Sequence, residues 1–134
     1  MDFNELMKWK GYIYLEEIVE PEENSLRLLI NRSKINNVTD TVEYLSMIQL
    51  DFETYVSYSV INEAFDHLDN NETSVGEMFR IYTKSNYLNF IQLATTERDD
   101  ICASKNYIHY QFPCLDHIID VISCDKPIIT VVPI

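Results

Sequence analysis

A chain of 134 residues with 46% hydrophobic, 12% aromatic and 24% charged side chains has enough apolar content to bury a core, and two glycines and four prolines leave no room for a linker or low-complexity tail. Its 22 acidic and 10 basic residues give a formal net charge of -12 and a pI near 4.4, a field that repels phosphate backbones and anionic lipid headgroups and so disfavours direct binding to nucleic acid or membrane. A partner reached by electrostatic steering is expected to be basic, although acidity for solubility alone is the plainer reading of the same charge.

The opening residues predict a short helix. Asp2 can cap it, Glu5 three places later completes a capping-box pattern, and Phe3, Leu6 and Met7 share a face. Gly11 can end it. From Tyr12 the apolar period changes to two, so YIYLEEIVE and, after a turn at Pro21 to Asn24, SLRLLIN are expected as paired strands. Residues 32–41, RSKINNVTDT, are polar and read as a loop.

IQLDFETYVSYSV, residues 48–60, then alternates for thirteen positions without glycine or proline. Ile48, Leu50, Phe52, Val56, Tyr58 and Val60 form an apolar row, and Gln49, Asp51, Glu53, Ser57 and Ser59 a polar one. At ~3.3 Å per residue such a strand reaches ~40 Å, well beyond the usual five or six residues. It is expected as one bent strand forming the spine of the sheet, its polar face toward solvent or a partner; a break near Asp51 to Thr54 is the alternative.

NEAFDHLDNNETSVGE reads as a loop with a helical turn at its start, and Met78 to Thr83 as a strand. Ser85 sits where an N-cap belongs, ahead of a helix with Tyr87, Leu88, Ile91 and Ala94 on one face. Arg98 to Lys105 reads as loop, and NYIHYQFPC, HIIDVIS and KPIITVVP as further strands. Six or seven strands and two or three short helices, without strand-helix alternation, predict an α+β fold over one domain, 1–134. The sheet is expected to be mainly antiparallel and strongly twisted or partly closed.

The chemistry-bearing motifs mostly fail on spacing. An EF-hand loop counted from Asp66 puts Leu68 at its third position, and counted from Asp69 puts Ser74 at its sixth and Arg80 at its twelfth, so a solvated acidic loop is expected instead. His109, Cys114, His117 and Cys124 are zinc-ligand types at spacings that match no compact knuckle, and no metal is expected. Cys114, His117 and Asp120 in steps of three do not line up on one face of a helix or strand, and a thiol in acidic surroundings ionises poorly. With Gly11 and Gly76 alone, a glycine-rich phosphate loop is impossible, and no cofactor is expected. Paired carboxylates such as Glu22/Glu23 and Asp99/Asp100 are too common here to discriminate.

Surface recognition remains. Tyrosines among carboxylates suit an interface with Lys or Arg on the other side, and Asp51, Glu53 and Tyr55 on the long strand, with Tyr12, Tyr14, Glu16 and Glu17 on the first, are the candidates. Three cysteines at irregular spacing, Cys102, Cys114 and Cys124, make a poor disulfide framework and are expected as reduced thiols. With no basic leader and no run of ~20 apolar residues, a soluble cytoplasmic protein is expected.

FETYVSYSVINEAF, FRIYTKSNYLNFI and YIHYQFPCLDHIIDVISCDKPII together resemble a family of small uncharacterised acidic proteins of Bacillus-type bacteria, over residues 48–129. The resemblance carries no site residues with it. In size and charge the chain is also similar to immunity proteins that neutralise a basic toxin, an analogy of the weakest kind. The leading expectation is a non-enzymatic cytoplasmic binding protein for a basic partner. The alternative is a small enzyme or small-molecule binder with a pocket in the curved sheet, where His109, His117 and Asp120 would converge.

Overall fold

The structure, a computed structural model, describes residues 1–66, 69–96, 102 and 106–133. Helix α1 (Phe3–Lys8) begins as the sequence implies, with the Asp2 carboxylate accepting from the Glu5 backbone N–H at 2.9 Å. Strands β1 (Tyr12–Val19), β2 (Leu26–Asn36) and β3 (Thr41–Phe52) follow. The polar stretch expected as a loop is half strand, leaving a turn of residues 37–40 alone. Its polar residues pair across the hairpin, Lys34 opposite Glu43 and Asn36 donating to Glu43 at 2.7 Å. A solvated two-stranded arm needs no apolar face, which is why the alternation signal fails there.

The spine expected as one bent strand is broken at Glu53–Thr54, where β3 ends and β4 (Tyr55–Asn62) begins in a different sheet. Ile48, Leu50 and Phe52 are fully buried. Past the break, a bulge between Tyr55 and Ser57 resets the register, and Tyr58 and Val60 face the core from an edge strand where they stay about 40% exposed. The thirteen-residue alternation is therefore two strands whose rows happen to be continuous in number.

A 3₁₀ turn (Glu63–Phe65), capped by Asn62, is followed by β5 (Thr73–Val75), β6 (Arg80–Lys84), helix α2 (Asn86–Ala94), β7 (Ile108–Cys114), β8 (His117–Ser123) and β9 (Ile128–Val132). The short β5 lies inside the expected acidic loop, and the loop expected over 98–105 lies outside the described residues except for Cys102. Gly76, between β5 and β6, has φ +99, and a Cβ there would collide with the Phe79 carbonyl.

The strands form two sheets rather than one twisted or partly closed sheet, in the orders β1-β2-β3-β9 and β4-β8-β7-β6-β5. Every strand pairing is antiparallel, so the fold is a β-rich α+β arrangement. Leu26, Leu28, Ile30, Ile48, Leu50 and Phe52 of the first sheet pack with Tyr110, Phe112, Ile119 and Val121 of the second, and Phe3 and Leu6 of α1 join them. Helix α2 contacts β7 of the second sheet. Among the described residues no helix is long and apolar enough to cross a membrane. Cys102 and Cys124 are joined in a disulfide, which overturns the expectation of reduced thiols for two of the three cysteines. Sequence spacing could not show that β8 ends within bonding reach of residue 102.

Candidate functional site

On β1 and β3 the register puts Tyr12, Tyr14, Glu17 and Asp51 on the outward side of the first sheet, since Ile13, Ile48 and Leu50 fill the inward one. Asp51 is already engaged there. Arg27 donates from Nε to its Oδ1 at 2.7 Å and Gln49 from Nε2 to its Oδ2 at 2.9 Å. Tyr14 shares a 2.9 Å hydrogen bond with Ser33, and Glu16, the bulged residue of β1, accepts from Asn31 at 2.7 Å. Glu53 lies in the turn after β3. With Glu22, Glu23 and Asp51 it lines a recess of about 360 Å³ in which Arg27 is the one basic lining residue among the described residues. Tyr55 belongs to the second sheet and donates to Glu20 at 2.8 Å, a bond that, ahead of burial, raises its pKa. Of the seven predicted partner residues the structure thus gathers Tyr12, Tyr14, Glu17 and Asp51 on one sheet face, with Glu16 at the β1 bulge, Glu53 lining the recess and Tyr55 set apart.

The second sheet carries a polar construction on the face opposite the core. Cross-strand register aligns Ser59, Asp120, Gln111 and Arg80 in one row and Ser57, Ile122, His109 and Tyr82 in the next. Helix α2 closes over these rows because Ser85 does two jobs. Its Oγ accepts from the Leu88 backbone N–H at 2.9 Å, capping the helix, and lies 2.6 Å from His109 Nδ1. Tyr87 reaches down to Ser57 at 2.7 Å and meets the His109 ring edge-on, while Tyr82 stacks on that ring at 4.5 Å.

The hydrogen bonds converge on Asp120. Ser85 Oγ accepts from Leu88 and is hydrogen-bonded to His109 Nδ1 at 2.6 Å, and on its other side His109 Nε2 is bonded to Asp120 Oδ1 at 2.6 Å, a carboxylate oxygen that can only accept. Tyr82 and Arg80 donate to Gln111 Oε1 at 3.1 and 3.3 Å, and Gln111 donates from Nε2 to the same Asp120 Oδ1 at 3.1 Å. Both chains of hydrogen bonds end on one carboxylate oxygen. Burial, with the Asp120 and Glu72 carboxylates, raises the Tyr82 pKa and keeps its hydroxyl a donor.

Beside this network lies a cavity of about 270 Å³. Asp120, Gln111 and His109 form its floor, Tyr82 and Tyr87 line it, and Asp66, Asp69 and Glu72 stand among its other lining residues. The order Ser85, His109, Asp120 has the connectivity of a hydrolase triad, but Ser85 is 3% exposed and does not line the cavity. Ser85 is therefore not presented as a nucleophile to anything in that cavity.

Two of the three residues expected to converge do so, His109 and Asp120, whereas His117 is exposed at the start of β8, opposite Cys114. Cys114 faces the core, where burial pushes its thiol up to about 12, and Asp120 faces the other way, so Cys114, His117 and Asp120 form no catalytic unit. Among the described residues no group of three His, Cys, Asp or Glu could hold a metal ion. Ser85, Gln111 and Tyr82 escaped the sequence reading as site residues. The available signal was His109 and Gln111 at alternate positions of β7 and Asp120 in the middle of the otherwise apolar β8, which need partners if both faces are covered.

Compared with protein-family models, curated proteins and solved structures, the chain matches none.

Proposed function

We propose that the chain is a non-enzymatic binding protein for a basic protein partner, in the manner of an immunity-type inhibitor. The observation that carries this reading is the recess beside the first sheet. Glu22, Glu23, Asp51 and Glu53 line it, Arg27 is its one basic lining residue among the described residues, and Arg27 is itself tied to Asp51 at 2.7 Å. Among the described residues the remaining carboxylates have no such cation lining the recess, and the exposed Glu17 and Tyr12 on the neighbouring sheet face extend the same chemistry. Interfaces of this kind owe their speed and selectivity to complementary charge more than to buried area.

The test is a pull-down from host lysate with the wild-type chain and with a Glu22→Lys, Glu23→Lys, Glu53→Lys variant, washed at low and then high salt. The proposal expects a basic protein retained by the wild type at low salt, released at high salt, and not retained by the variant. Equal retention by both chains, or retention of no basic protein, overturns it.

A further inference from the structure

We infer that the cavity under α2 is a binding site for a single alkylammonium or guanidinium group, with Asp120 as its charge partner. This site is on the second sheet and does not depend on the recess beside the first. Asp120 is only 9% exposed, and its Oδ1 receives both His109 and Gln111. Its Oδ2 has no hydrogen-bond partner among the described residues, and the residue lines the cavity. The side chain keeps 13% of its surface accessible, and a carboxylate oxygen without a protein partner takes its hydrogen bonds from whatever enters that opening. Here the network fixes one oxygen and leaves the other to the cavity.

The walls suit the same occupant. Tyr82 and Tyr87 offer aromatic surface, which attracts a cation through the ring quadrupole. Asp69 and Glu72 add negative charge, and both are held in place, Asp69 accepting from the Asn86 side chain at 2.7 Å and Glu72 from the Asn86 backbone N–H at 2.9 Å. Among the described residues no lysine or arginine lines the cavity. Arg80 lines an adjoining recess with the same Asp66, Asp69 and Glu72, where it is committed to the Glu77 carbonyl at 2.6 Å and to Gln111. At about 270 Å³ the cavity lies just under the size usual for drug-like ligands, on the order of 300–1,000 Å³, and fits a small headgroup with a short alkyl stem.

The experiment titrates the full chain with n-butylammonium, butylguanidinium and neutral n-butanol, followed by calorimetry and by the tyrosine ring resonances. Both cations are expected to bind saturably and to shift Tyr82 and Tyr87, with n-butanol at least tenfold weaker. In Asp120→Asn, whose side-chain oxygen can still accept from His109 and Gln111, cation affinity is expected to fall about tenfold to a hundredfold, the worth of a hydrogen bond to a charged group. A capped lysine amide provides a second arm. Binding as tight as n-butylammonium assigns the site to a side chain of a protein, and tighter binding of the free amine assigns it to a small molecule. The inference is overturned if neither cation shifts Tyr82 and Tyr87 in the wild type, or if Asp120→Asn, folded by circular dichroism, binds the cations as the wild type does. The wild-type ring shifts decide the matter even if the variant does not fold. Failure here leaves the recess beside the first sheet untouched, because its test uses different residues.

Discussion

Replacing Tyr110 with phenylalanine should stabilise the protein. Tyr110 is fully buried among Phe3, Phe52 and Phe112, with ring centroids 5.1 Å and 5.4 Å from Phe3 and Phe52, and its hydroxyl makes no hydrogen bond among the described residues. A buried hydroxyl without a partner costs about 1–3 kcal/mol. Removing it leaves a void of roughly 10 Å³, which at ~24 cal/mol per Å³ takes back about 0.2 kcal/mol. Tyr110→Phe should therefore gain about 1–2 kcal/mol in denaturant unfolding, with the midpoint raised and the slope unchanged.

The same variant has a second readout. Burial pushes the Tyr110 hydroxyl from 10.0 to about 12. Between those values the unfolded chain has lost the tyrosine proton and the folded chain has kept it, so stability falls as pH rises. At about 1.4 kcal/mol per pH unit the loss approaches roughly 3 kcal/mol. Cys114, raised from 9.0 to about 12 by burial, adds a loss of the same sign that starts one unit lower. Stability measured from pH 8 upward should decline in both proteins, more gently in Tyr110→Phe above pH 10. A variant destabilised by 1 kcal/mol or more, with an unchanged alkaline profile, would refute the reading that this hydroxyl is buried and unbonded.

Three further outcomes are expected. Ser85→Ala removes both the cap of α2 and the partner of His109 Nδ1, and should cost about 1–3 kcal/mol in urea unfolding with loss of α2 amide protection; a change below 0.5 kcal/mol would contradict the double role. Thiol titration of denatured, unreduced protein should find one thiol per chain, Cys114, rather than three. Gly76→Ala, at φ +99 against the Phe79 carbonyl, should destabilise by at least about 1 kcal/mol in thermal melts, since the backbone conformation itself is unfavourable for a residue with a Cβ.

Most elements were legible because their signals are local. The cap at Asp2, the cap at Ser85 and the β-branched tail strands need only near neighbours, and each appears where it was expected. The failures are all consequences of tertiary partners. The row from Ile48 to Val60 alternates without interruption, yet β3 pairs with β2 and β9 while β4 pairs with β8. Nothing in a period-two pattern records a change of sheet, because both sheets supply the same core. Residues 34–36 lie in the solvated end of the β2–β3 hairpin, Arg32 and Ser33 are buried polar residues whose partners Ser46 and Tyr14 come from neighbouring strands, and β5 was too short to show a period.

The site was legible in part for the same reason. His109 and Asp120 could be named as residues that would converge, but their companions Ser85, Gln111 and Tyr82 arrive from the α2 cap, the neighbouring position on β7 and strand β6. Charge pointed to Asp51 as a partner residue without revealing that Arg27 and Gln49 already occupy both of its oxygens. An acidic total cannot distinguish a carboxylate that is paired from one that is waiting. Register can, since Arg27 stands directly opposite Asp51.

The most direct measurement of the proposed function is the association rate constant of the captured basic partner, followed by stopped flow from 50 mM to 500 mM salt. Docking steered by the carboxylates of the recess requires a fall of about tenfold or more as the screening length shortens from ~14 Å to ~4 Å. The Glu22→Lys, Glu23→Lys, Glu53→Lys variant should begin slow and change little. A wild-type rate that stays constant across the range would contradict charge-steered binding of a basic partner.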